Sequence, residues 1–327
     1  MEKTLIVNIM SDIKKFIKKR DLECVEVLIT KNLDDFISIK KDVNFPKNNE
    51  ESLQRFLEAK RLEGCSESTI SYYSMILKKM LSEPTKIYFN ITTEDIRTFL
   101  DTYKVTKKIS NVTVNNVRRI ISSFFSWLED EEFIVKSPVR RIHKVKVPKI
   151  IKDIYSDDDI ENFRNATTCQ RDLAIIDLFV STGIRVGELT KLKINDLDLE
   201  NQECVVTGKG NKQRRVYFDS RTKIDIRKYL KSRNDNSDYL FVTIFNPHKR
   251  LEISGVEIMI RKLGEKINIS KAHPHKFRRT LATKAIDKGM PIEQVQHLLG
   301  HTKIDTTLEY AMVDEENVKR SHKKYLE

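Results

Sequence analysis

The chain lacks the features that announce metal, nucleotide or membrane chemistry. Its four cysteines, Cys24, Cys65, Cys169 and Cys204, are scattered, with no C-x-x-C pair among them. Such spacing suits neither a disulfide framework nor a zinc site, so buried, reduced thiols are expected. No H-E-x-x-H occurs, and GKGNK (208–212) lacks the G-x-x-x-x-G-K-[ST] spacing of a nucleotide loop. The two histidines of HLLGHTKIDTTLEYAMV (297–313) do not fall at a zinc spacing either. Neither a metal nor another cofactor is expected. No apolar run approaches the length of a membrane span. In MEKTLIVNIMSDIKKF, acids and lysines crowd the apolar stretch too closely for a signal peptide. The expected location is cytoplasmic.

What the chain does have is charge of both signs. Sixty Lys and Arg stand against 48 Asp and Glu, giving a net charge of +12 and a pI of about 9.3. This balance describes a folded basic protein with a polyanionic partner, not a basic tail. With 327 residues and 39% apolar content, the chain can bury real cores in two or three domains.

Residues 1–48 show two short helical patterns, around Ile9–Ile17 and Leu33–Ile39, and end in the polar stretch NFPKNNE, which reads as a linker. Residues 49–145 read as an all-α module of four or five short helices. Phe56, Leu57 and Ala59 belong to the first. Ser66 or Ser68 caps a second carrying Ile70, Tyr73 and Leu77. Thr92 or Thr93 caps a third, and Val114, Val117, Ile121, Phe124, Phe125 and Leu128 line a fourth. Between Lys104 and Lys149 there are 11 Lys/Arg against four Asp/Glu, all four in EDEE (129–132). The basic run continues into RRIHKVKVPK (140–149), expected to be a flexible connector that follows a nucleic-acid backbone. Arg118, Arg119, Arg140, Arg141, Lys144 and Lys146 are the candidate phosphate contacts.

Residues 150–327 change character. SDDDIENF (156–163) is a capped helix start, and LAIIDLFVSTG (173–183) a buried helix stopped by glycine. ECVVTGKGNKQRRVYF (203–218) reads as two strands around a glycine turn. The fold class is therefore mainly α (α+β): a helical module, then a mixed, mostly helical domain with a small antiparallel sheet.

Several polar groups in this second part suit phosphate chemistry. In STGIRVGELTKL, Arg185 stands at a helix start, where a guanidinium and helix-end amides together can hold an oxyanion. Glu188, three residues on, can orient it. Gly187 inside a helix costs about 1 kcal/mol relative to alanine, which suggests close backbone approach. Lys209, between two glycines at a hairpin tip, can deliver a proton to a leaving oxygen, although a hairpin lysine is ordinarily just solvated. In HPHKFRRTLATKAI, His275 and Arg278 share one helical face, while Phe277, Leu281 and Ala285 lie on another. Arg279 turns away as a structural or DNA-facing group, and His273 is a weaker candidate than His275. Near the end, Gly300 reads as a helix stop. Thr306 and Glu309 form a capping box that opens a further helix, with Tyr310 in its first turn, nine residues after His301.

Taken in order, these groups resemble those of the tyrosine recombinase (phage integrase) family, especially its Xer-type members. The resemblance runs from about Glu51 to the end. It rests on GIRVGELTKL with Arg185 and Glu188, TGKGNKQRRV with Lys209, HPHKFRRTLAT with His275 and Arg278, and HLLGHTKIDTTLEYAMV with His301 and Tyr310. Residues 1–48 have no clear counterpart. The resemblance implies a core-binding domain at 49–145 and a catalytic domain at 150–327. It implies a site-specific recombinase acting on double-stranded DNA through a 3′-phosphotyrosine and a Holliday junction. Such an enzyme would work at the nucleoid as a homo-tetramer, with room for an accessory directionality factor. Tyr310 would be the nucleophile, His275 its proton acceptor and Lys209 the general acid, with Arg185, Arg278 and His301 on the non-bridging oxygens. The rival readings are a type IB topoisomerase and a non-catalytic DNA-binding regulator.

Overall fold

Side-chain caps set where the helices begin. The computed structural model describes residues 45–82, 86–148, 153–208 and 212–300, together with Ile13, Val25 and 27–29, which are helical. The patterns at Ile9–Ile17 and Leu33–Ile39 otherwise lie outside the described residues. The chain divides into two compact units, Met1–Lys149 and Ile150–Glu327.

In the first unit, α1 (Asn49–Leu62) starts where Asn48 Oδ1 accepts from the Glu51 N–H at 2.8 Å. Ser66 caps α2 (Glu67–Met80), Thr92 caps α3 (Thr93–Lys107) in a capping box with Asp95, and Ser110 caps α4 (Asn111–Asp130). Thr93 is not the cap; its hydroxyl donates instead to the Pro138 carbonyl at 2.7 Å. All six predicted apolar positions of α4 are buried, as the 3.6-residue period requires. Phe56 of α1 meets Phe124 edge-on at 5.4 Å and Trp127 at 5.7 Å, forming an aromatic centre.

The segment after α4 departs from expectation. Far from being a loose connector, residues 142–146 are fastened to that helix. The Asn115 side chain donates to Val145 O and accepts from Val145 N, both at 2.9 Å. Asn111 donates to Lys146 O at 3.1 Å. An extended segment without a sheet partner must satisfy its peptide groups elsewhere, and an amide side chain offers both a donor and an acceptor. Ile142 and Val145 pack against the core beside these bonds.

The second unit opens with α5 (Asp157–Ala166), capped by Ser156 and Asp159, followed by the central α6 (Gln170–Thr182). After the single turn α7 (Val186–Leu189) come β1 (Leu197–Asp198), β2 (Glu203–Thr207) and β3 (Gln213–Tyr217). They form one antiparallel sheet in that order, with Val206 opposite Arg214. Four helices complete the described part: α8 (Ser220–Lys231), α9 (Ile253–Lys266), α10 (Pro274–Asp287) and α11 (Ile292–Leu299). The architecture is thus mainly helical with a small antiparallel sheet.

Phe277 of α10 joins the core, 4.6 Å from the Tyr155 ring and 5.2 Å from Phe163. Leu281 and Ala285, farther along α10, pack on Ala282, Val295 and Leu299 and so seat α11. The apolar helix α6 buries one carboxylate, Asp177, which accepts from Arg164 Nε at 2.6 Å. Cys204 is buried, and burial pushes its thiol up to about 12. Cys65 and Cys169 are half-buried free thiols, less enclosed than expected, and Cys24 lies outside the described residues. Among the described residues no helix is long and apolar enough to cross a membrane.

Candidate active site

The site is assembled around the C-terminal end of α11. Gly300 caps that helix in the left-handed region, at φ +63°. A side chain there would also collide, since an added Cβ would sit 2.8 Å from Arg214 Cδ. Three successive carbonyls at this end each accept from a different arginine. Arg214 Nε reaches Leu298 O at 3.1 Å, Arg278 Nη2 reaches Leu299 O, and Arg185 Nη2 reaches Gly300 O at 3.0 Å. A helix end leaves its last carbonyls without helical partners and carries partial negative charge, so cations are favoured there.

Arg185 is the N-cap of α7, and its partner is Glu188, as the spacing suggested. Glu188 accepts from the Arg185 N–H at 2.9 Å and from Arg185 Nη1 at 2.8 Å. Arg214 adds a bidentate pair, Nη1 to Oε1 at 2.7 Å and Nη2 to Oε2 at 2.9 Å. Burial alone would push the Glu188 carboxyl up. The bonds from Arg214 and Arg185 outweigh burial and hold it down, at about 2. The carboxylate therefore stays charged and keeps Arg185 oriented. The Arg185 side chain remains 38% exposed, open to a ligand. Gly187 does not serve the close approach expected of it: a Cβ there would meet only Ile253, at an ordinary 3.6 Å. Its cost is small because α7 is a single turn.

Arg278 points inward and is almost fully buried. Its Nη1 donates to Gly183 O at 2.8 Å, the residue that stops α6 at φ +58°. An added Cβ at Gly183 would lie 2.7 Å from Leu281 Cδ2, so a side chain there would have to displace Leu281. His275, one turn before Arg278, is exposed. His273 is the N-cap of α10, and its ring Nδ1 pairs with Lys271 O at 2.8 Å. Arg279 is a structural tie, donating to Asp153 O at 2.8 Å. The structure thus brings Arg185 and Arg278 to one helix end, immediately before His301. Lys209, His301 and Tyr310 lie outside the described residues. β2 and β3 nonetheless converge on the hairpin that contains Lys209, with Gly208 N donating to Lys212 O at 2.8 Å.

Arg214 escaped the reading of the sequence. Its signal is the two-residue alternation of β3: Val216 is buried, so Arg214 points to the same inner face. An inward arginine needs an acidic partner.

The basic residues of the first unit divide into two groups. Arg118 is half-buried and donates to Ile142 O at 3.3 Å, whereas Arg140 pairs with Glu129 at 3.3 Å yet stays 62% exposed. Arg119, bonded to the Asn116 side chain, is exposed, as are Arg141, Lys144 and Lys146. Among the described residues no group of three or more His, Cys, Asp or Glu is disposed to hold a metal ion.

Comparison with known proteins identifies the family. The model of the phage integrase family matches residues 154–317, and that of its N-terminal SAM-like domain matches residues 53–134. The chain is 30% identical over 278 residues to tyrosine recombinase XerA of Pyrococcus horikoshii, covering 84% of this chain and 94% of that one. It is 32% identical over 280 residues to tyrosine recombinase XerC of Thermodesulfovibrio yellowstonii, covering 80% and 91%. Its fold is similar to that of the Tn1549 transposon integrase solved with circular intermediate DNA, at a TM-score of 0.67 and 19% identity over 84% of this chain and 99% of that one. It is equally similar, at 0.67 and 19%, to the lambda integrase dimer bound to a COC′ core site, over 90% and 87%. The chain belongs to the phage integrase family, the tyrosine recombinases, which are DNA strand transferases of site-specific recombination.

Proposed function

We propose that this enzyme cleaves and rejoins double-stranded DNA at specific sites through a covalent link to Tyr310. The observation that carries this reading is the pair Arg185 and Arg278, drawn from α7 and α10 and anchored on adjacent carbonyls of α11. Arg185, fixed before the reaction and 38% exposed, suits a non-bridging oxygen of a phosphate whose charge grows in the transition state, while Arg278, almost fully buried, adds positive charge behind it. His301 would join them. The Tyr310 oxygen attacks phosphorus as His275 takes its proton, and the bond to the 5′ oxygen breaks as Lys209 protonates it. The products are a 3′-phosphotyrosine and a free 5′-hydroxyl. The ester conserves the bond energy, so a hydroxyl from a partner strand can reverse the step without ATP.

In this reading the helical first unit is the core-binding domain, and Arg119, Arg140, Arg141, Lys144 and Lys146 contact phosphates. Four protomers on two duplexes exchange strands in two rounds through a Holliday junction, in the cytoplasm at the nucleoid, with an accessory factor setting direction. The test is a nicked suicide duplex, from which religation is impossible. The wild-type chain should form a denaturant-stable adduct with the 3′ end, and Tyr310→Phe should bind the duplex but form none. An adduct with Tyr310→Phe would dismiss Tyr310 as the nucleophile, making Tyr325 the next to test. Failure of four protomers to join two duplexes would favour simple DNA relaxation.

A further inference from the structure

We propose that Arg214 is a positioning residue of this site, holding the Arg185–Glu188 pair and the end of α11 as one unit. The proposal rests on the phosphoryl-transfer reading above. One guanidinium here engages three partners: both oxygens of Glu188, and Leu298 O through Nε. Arg185 is tied to the same two elements, through Glu188 and Gly300 O. Glu188, α7 and the end of α11 therefore form a closed loop of bonds, and Arg214 is the member that joins them through β3. Its side chain is 10% exposed against 38% for Arg185, so Arg185 can meet a phosphate while Arg214 acts from behind it.

Two close approaches show how tightly the loop is drawn. Gly300 lies against the Arg214 side chain, with 2.8 Å from an added Cβ to Cδ. Gly208, at the base of the Lys209 hairpin, lies against Glu188, with 3.2 Å from an added Cβ to Oε1. Movement of Arg214 would thus disturb Arg185, the hairpin and the residues leading to His301 together. Lysine cannot replace it, because a single ammonium lacks the planar fork that spans both carboxylate oxygens and a carbonyl.

The test is single-turnover cleavage of the nicked suicide duplex by the full chain at saturating enzyme, with DNA affinity measured separately. Wild type and Tyr310→Phe run alongside: no adduct from wild type would overturn the functional reading and, with it, the role given to Arg214. With wild type active, Arg214→Lys should cleave about 100-fold more slowly, the scale of a roughly 1 Å misplacement, with affinity near wild type. Glu188→Gln should show the same loss, and the double variant should be no slower than the worse single one, because both break one unit. If the thermal transition shows Arg214→Lys to be unfolded, Arg214→Gln, which keeps an amide donor toward Glu188, carries the test. Wild-type cleavage by a folded Arg214 variant, a parallel loss of affinity, or losses that multiply in the double variant would overturn the assignment.

Discussion

Arg214 and Glu188 meet as a two-pronged pair, at 2.7 and 2.9 Å, inside the second unit. With Arg185 supplying two further bonds, the carboxylate accepts four and is lowered from 4.5 to about 2. A depressed carboxyl contributes stability that is present above the unfolded value and lost as pH falls from about 4.5 toward 2.

Glu188→Gln should therefore destabilise the chain at pH 7 by about 3 kcal/mol, because it leaves buried guanidinium charge without its counter-ion. The gap to wild type should narrow as pH drops below 4.5. Urea unfolding at pH 7 and pH 4 measures both, and a constant gap would mean that the carboxylate's charge contributes nothing.

Asp177 runs the opposite way. Burial, then the neighbouring Asp225 carboxyl, raise it to about 6, against the pull of Arg164. A carboxyl raised on folding binds its proton more tightly in the native state, so its contribution is greatest below about 3.8 and declines as pH rises through 6. Asp225→Asn removes one cause of the shift. The variant should gain stability over wild type at pH 8 and lose that advantage toward pH 5, as read from urea midpoints. A variant less stable than wild type at pH 8 would show that Asp225 does not act by repulsion.

The basic residues of the first unit should separate by experiment as they do by geometry. Neutralising Arg141, Lys144 and Lys146 together should lower the slope of log affinity against log salt by about 0.9 for each phosphate no longer neutralised. Arg118→Gln should instead cost stability, since its guanidinium is spent on Ile142 O. A salt slope altered by Arg118→Gln alone would return that residue to the DNA-binding surface.

The residues themselves explain how far the sequence could be read. Periodicity exposes α4, and the glycine stops at 183 and 300 mark the ends of α6 and α11, because these are local consequences of backbone geometry. Arg185 with Glu188 is legible for the same reason, at three residues' separation. Arg214 lies 26 residues from Glu188 and Asn115 lies 30 from Val145, and no local period announces such pairs. The connector read as flexible because its charges and prolines stand out, whereas what fastens it are side chains of α4, the amides of Asn111 and Asn115 and the guanidinium of Arg118. The orientation of Arg278 needed the fold as well, because its partners Gly183 and Leu299 belong to two other helices.

The assignment of Lys209 as general acid can be tested by changing the leaving group instead of the enzyme's charge. A 5′ alkoxide leaves poorly without a proton, so Lys209→Ala should cleave ordinary DNA slowly, by about the 10²–10⁴-fold typical of a lost proton transfer. A duplex with sulfur in the 5′-bridging position at the scissile phosphate expels a thiolate, which needs little protonation. That substrate should restore most of the lost rate to Lys209→Ala. It should not restore Arg185→Ala, whose defect lies in stabilising charge on the non-bridging oxygens. The two variants thus share one assay and differ only in which oxygen they fail to serve. Equal rescue of both, or of neither, would remove Lys209 from the proton transfer and return it to a solvated hairpin.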